Sequence, residues 1–239
     1  MSADLSHTLT ALLRSPASIA ASITEGRDLR SIARASLLAL LVGTLVFGGV
    51  VGSHRGSLQM LYAALKLPWV SMLTLALSVP VLHGARAAFE RPEPFAQSAA
   101  LMLAASARTA LVLLALAPAL ALALQVLRGY HAAVVLSALS YGLAGLAGVG
   151  LLRRGLGPAE GRLALLGFVL SAHLLTSAQV AWGLRPWLVR PSADVVLVRP
   201  PEGTFAEELA RAGFSAAGIY DSTRSKAREA ERRAHGEPR

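Results

Sequence analysis

The stretch ASLLALLVGTLVFGGVVG, residues 35–52, decides the fold. It carries no charged side chain, and as a helix it covers most of a hydrocarbon core ~30 Å thick. Four more apolar runs follow, at 59–82, 99–127, 132–152 and 163–182. Across the chain 54% of residues are hydrophobic and only 15% are charged, the balance of a membrane protein and not of a soluble core. The expected fold is all-α: a polytopic transmembrane bundle of five helices with a small exoplasmic C-terminal module.

The flanks divide the rest. Residues 1–34 read as a cytoplasmic amphipathic segment, with Leu5, Leu9, Leu12 and Leu13 on one helical face and Pro16 interrupting it. They suggest a short helix lying at the bilayer interface or docking a cytoplasmic partner. The five-helix domain occupies 35–182. An exoplasmic turn–strand–helix module is expected over 183–221. Its strand is Asp194–Arg199, its turn Pro200–Gly203, and Thr204 with Glu207 has the spacing of a capping box. Residues 222–239 read as a disordered charged tail. No small-x-small cleavage site follows Val51, so the first span is expected to remain in the mature protein.

Orientation comes from the arginines. Arg14, Arg27, Arg30 and Arg34 precede the first span, and Arg55 alone marks the next loop. Arg86 and Arg91 follow span two, Arg128 follows span three, and Arg153, Arg154 and Arg162 follow span four. This alternation, rich then poor, predicts a cytoplasmic N-terminus and, after five crossings, an exoplasmic C-terminus. The tail from Arg185 carries ten basic residues, which opposes that placement, but long tails translocate despite charge. Because much of the net charge of +9 orients helices, no nucleic-acid partner is expected.

The composition also narrows the chemistry. The chain has no cysteine, which excludes disulfides, thiolate nucleophiles and cysteine metal sites. No Asp or Glu falls within a span; the nearest are Glu90, Glu93 and Glu160 in the loops. Proton relays and cation sites usually rest on carboxylates, so a proton-coupled pump is disfavoured and paired-aspartate proteolysis is excluded. His173 and Ser177 on one helix turn make a poor hydrolase. No cofactor, metal ligand set or catalytic residue is expected.

Polar groups inside the spans remain as candidates. Lys66 lies about 12 Å of helical rise inside span two, where it either snorkels to the interface or marks a functional site. Pro68 follows it, and Pro80 lies near the span's end. Ser71, Thr74 and Ser78 form a polar stripe of the kind that satisfies backbone groups released by proline. Arg108 reads as an interface anchor, with 97–107 as an interfacial lead-in. His173 reads as an interhelical hydrogen bonder or a ligand. The glycines of span one, with Gly48 and Gly52 as a small-xxx-small pair, and those of span four (Gly142, Gly145, Gly148, Gly150) read as helix-packing positions. After span five, Arg185, Pro186 and Trp187 form either an interfacial belt or a hinge that docks the C-terminal module.

The order of these features resembles a known layout. "LLRSP" at 12–16 precedes the first span, and "FGGVVGSHRGSLQMLYAALKLPWVSMLTLALSVPVL" at 47–82 leads through the second. "SAQVAWGLRPWLVRP" at 177–191 and "VRPPEG" at 198–203 follow the fifth. The chain resembles uncharacterised bacterial five-span integral membrane proteins, similar in layout to the Yip-type family, over roughly 10–205. The resemblance implies five helices, a cytoplasmic N-terminus and an exoplasmic C-terminus. For eukaryotic relatives it implies a role in organising membranes. The expected function is a non-enzymatic integral membrane scaffold, assembly factor or membrane organiser of the bacterial inner membrane. Its expected partners are membrane lipids, other membrane proteins or itself. The alternative is a small-solute or lipid transporter or channel lined by polar stripes of span two, span four (Ser137, Tyr141) and span five.

Overall fold

The computed structural model describes residues 2–54, 56–89, 93–126, 130–157 and 161–184. Seven helices follow one another among them: α1 (Ser2–Arg14), α2 (Pro16–Thr24), α3 (Leu29–Ser53), α4 (Ser57–Ala88), α5 (Phe95–Val126), α6 (Tyr130–Gly155) and α7 (Arg162–Gly183). The last five are long and apolar enough to cross a membrane, so the chain is built as a multi-pass membrane protein. The described residues contain no strand. The expected module beginning after the last span, with Arg185, Pro186 and Trp187, lies outside the described residues, as does the tail.

In lipid, apolar side chains gain little by leaving the solvent, so helix contacts rest on close packing of small residues. The α3–α4 hairpin is built this way. A Cβ placed on Gly48 would stand 2.5 Å from the Ala63 carbonyl oxygen, and one on Gly52 would stand 2.6 Å from that of Gln59. Only glycine permits these approaches. α3 also packs extensively against α5, with Gly43 against Ala110. The outer face of α3 presents Leu37, Leu38, Leu41, Val42, Leu45 and Val46. Further out, α6 lies on α5 and α7 lies on α4, while α6 and α7 barely meet.

Span four departs from its expected packing. Gly148 closes against Ala105 and Thr109 of α5, but Gly142 and Gly145 face open space. Two of the four glycines there therefore make no close helix contact within this chain.

The amino-terminal segment also departs from expectation. The helix is interrupted at Pro16 as expected, with proline in the first turn of α2, where its missing N–H costs nothing, but neither piece lies free at the bilayer surface. Both pack on the bundle: α1 on α3 and α5, α2 on α6 and α5. Leu12, Ile19 and Ile23 are buried, whereas Leu13 is exposed. Ser31 of α3 donates a 2.8 Å hydrogen bond to the Asp4 carboxylate of α1. These helices cap one end of the bundle and cover the start of α5. The stretch 97–107, expected as an interfacial lead-in, is enclosed by protein: Gln97, Ser98, Leu101, Met102, Ala104 and Ala107 are buried. α5 has 32 residues, about 48 Å of rise, so it overhangs a ~30 Å core and the cap absorbs the excess.

Candidate functional site

The candidate site is the inner side of α4, where polar side chains lie among buried apolar ones such as Ala63, Val70, Leu75 and Leu82. Leu58, Leu61, Leu65, Trp69, Leu73 and Leu77 point away from the bundle, with Trp69 72% exposed. Gln59, Lys66, Ser71, Thr74, Ser78 and Arg86 are buried within it. From Gln59 to Arg86 this polar seam rises about 40 Å, close to the full thickness of a bilayer. The helix runs unbroken through Pro68 and Pro80.

Lys66 is 5% exposed, so it does not snorkel outward along lipid: it is enclosed by the bundle. One turn on, the Ser71 hydroxyl donates to the Leu67 carbonyl at 2.9 Å and lies near the Tyr141 hydroxyl of α6. The Tyr141 ring meets Phe47 of α3 edge-on, with centroids 6.3 Å apart. Thr74 Oγ1 is buried and has no hydrogen-bond partner among the described residues. Below it, Ser78 Oγ lies 2.9 Å from Nδ1 of His173, halfway along α7. Thr176 and Ser177 of α7 are half-buried, and Gln179 is exposed. The seam therefore joins α4 to α6 at Tyr141 and to α7 at His173. Ser137, expected to share a polar stripe with Tyr141, has a buried hydroxyl with no partner among the described residues.

The seam ends at a residue that the arginine count had assigned to a loop. Arg86 lies inside α4 and is 2% exposed, the largest side chain so fully enclosed. Its guanidinium holds Glu93 by one hydrogen bond, Nη2 to Oε1 at 2.8 Å, and by an ion-pair contact of Nη1 with Oε2 at 2.6 Å. Nη2 also donates to the Gly155 carbonyl at the end of α6, at 3.1 Å. A charge-assisted hydrogen bond and an ion partner offset the desolvation of an enclosed guanidinium. Arg86 thus ties α4, the α4–α5 connection and α6 together at the capped end. The clue in the sequence was register, since Arg86 continues the helical stripe of Ser71, Thr74, Ser78 and Leu82.

The described residues contain no cluster of histidines or carboxylates able to hold a metal ion. No protein family, curated protein or solved structure matches the chain.

Proposed function

We propose that the chain is a non-catalytic membrane scaffold or organiser, with its capped end in the cytoplasm of a bacterial cell. The resemblance of the sequence motifs to the layout of Yip-type proteins points the same way. The observation that carries it is how the seam of α4 is used. Its polar side chains are turned inward against neighbouring helices, and its capped end is fastened by Arg86 to Glu93 and Gly155. Polar groups used in this way hold helices in register. The glycine contacts of α3 with α4 and of α5 with α6 leave little room for those pairs to slide. A transporter that alternates access needs one repeat or bundle to rock against another.

One observation favours transport as the second reading. Thr74 keeps a buried hydroxyl without a partner in the middle of the seam. Unsatisfied polar groups in a membrane interior are costly and often face a ligand or water. The two readings separate on purification of the full chain in native lipid. A scaffold retains stoichiometric protein partners or self-associates. A chain that stays monomeric and carries a small solute into liposomes is a transporter, and the scaffold reading then fails.

A further inference from the structure

Two arginines outside the seam share one small space at the capped end. A Cβ built on Gly150 of α6 would stand 3.5 Å from Nη1 of Arg154 and 3.9 Å from Nη1 of Arg108, which comes from α5. The two like charges therefore face each other across the glycine, within electrostatic range. Arg154 Nη1 is anchored by the Gly150 carbonyl at 3.1 Å. Arg108 forms no ion pair among the described residues, and its Nε is shielded and without a hydrogen-bond partner. Arg162 lies close by, lining with Arg154 a cavity of about 490 Å³. The carboxylate in that cavity, Glu25, is already paired with Arg27.

Guanidiniums brought together in this way call for an anion between them, and planar forked donors fit a phosphate best. The position favours a lipid as its source. Arg108 comes thirteen residues after the start of α5, about 20 Å along a helix that overhangs the bilayer by nearly that much, which sets it near the edge of the hydrocarbon. Leu139, Leu143 and Leu146 of α6 are exposed and recur at helical spacing; Gly150 and Arg154 continue the same ridge. An apolar track thus ends at a pair of guanidiniums.

We propose that Arg108 and Arg154 bind the headgroup phosphate of an anionic phospholipid in the leaflet at the capped end, with an acyl chain lying along Leu146, Leu143 and Leu139. This site is independent of whether the bundle organises or transports, because it uses neither the seam nor a partner protein.

Native mass spectrometry of the delipidated full chain, titrated with phosphatidylglycerol or phosphatidylcholine, tests it. Phosphatidylglycerol should be retained in preference to phosphatidylcholine. Arg108→Gln and Arg154→Gln should each weaken its binding about fivefold, the worth of one basic residue at an anionic headgroup. Arg153→Gln, at the exposed neighbouring position, should bind as the unaltered chain does. Arg154 is exposed, so Arg154→Gln keeps the fold even if Arg108→Gln does not, and it decides the matter alone. Equal retention of both lipids, or full retention by Arg154→Gln, overturns the proposal. So does displacement of the lipid by millimolar inorganic phosphate, which would make the ligand a free anion.

Discussion

Arg86, inside α4, and Glu93, seven residues on in the α4–α5 connection, close on each other as an ion pair, with a 2.8 Å hydrogen bond from Nη2 to Oε1 and Nη1 2.6 Å from Oε2. The arginine is enclosed, and Glu93 is 23% exposed. The pair does more than end a helix: through the Gly155 carbonyl it fixes α6 to α4, two helices with little other contact. Removing one partner strands the other's charge in a protein interior, at a cost of about 3–5 kcal/mol. Arg86→Ala and Glu93→Ala should therefore each lower the thermal unfolding temperature in detergent substantially. Replacing both with leucine should recover much of the loss. A double variant as unstable as the sum of the singles would show that the pair is not the unit that matters.

Gly48 and Gly52 set the distance between α3 and α4. Because an added Cβ would meet backbone and not a movable side-chain tip, Gly48→Val should cost about 3 kcal/mol or more. Gly145 faces open space, so Gly145→Ala should be neutral or gain up to about 1 kcal/mol from helix propensity. Unfolding curves of the two variants in one detergent make the comparison. Equal stability would mean that the hairpin tolerates a wider spacing.

The five spans were legible because length and apolar content alone specify them, and their expected limits fall within six residues of those of α3–α7. Ser71, Thr74 and Ser78 were legible as a stripe because their spacing is helical. Its continuation to Gln59 and Arg86 was hidden. Counting arginines to orient a membrane treats each as a loop charge, and whether one turns inward depends on a partner such as Glu93. The docking of α1 and α2 was hidden for a similar reason. An amphipathic segment beside a membrane has the same pattern whether it faces lipid or protein. Only the overlength of α5, which needs covering, hinted at the difference. The burial of Lys66 could not be read from its depth, since a side chain that snorkels and one that is enclosed occupy the same sequence position.

His173 and Ser78 offer a measurable tie between α7 and α4. Interhelical hydrogen bonds in membranes average about 0.6 kcal/mol and reach about 1.7. A double-mutant cycle with His173→Leu and Ser78→Ala should return a coupling in that range, read from unfolding in micelles. Zero coupling would mean that the 2.9 Å contact holds nothing together.

The proposed orientation rests on the arginines at the capped end. Reporter fusions that work only in the cytoplasm should be active at residue 157, just after α6, and inactive beyond residue 190. The same fusion should be active at residue 89, where α4 ends. Cytoplasmic activity on both sides of α7 would mean that α7 does not cross the membrane, leaving four spans.

Lys66 separates structure from transport most sharply. It is enclosed by the bundle and interacts there, yet an enclosed charge carries a desolvation cost that methionine, of similar length, does not. Lys66→Met should therefore fold with stability within about 1–2 kcal/mol of the unaltered chain, the loss of its interaction offset by the relief of that cost. Lys66→Glu keeps a charge but reverses its sign against the same neighbours, and should fold poorly. In a scaffold, Lys66→Met keeps its partners and its cellular phenotype, because the seam only has to hold the helices together. If the methionine variant is stable, retains its partners and nevertheless loses the phenotype, the lysine acts on something that passes along the seam, and the transport reading takes the place of the scaffold.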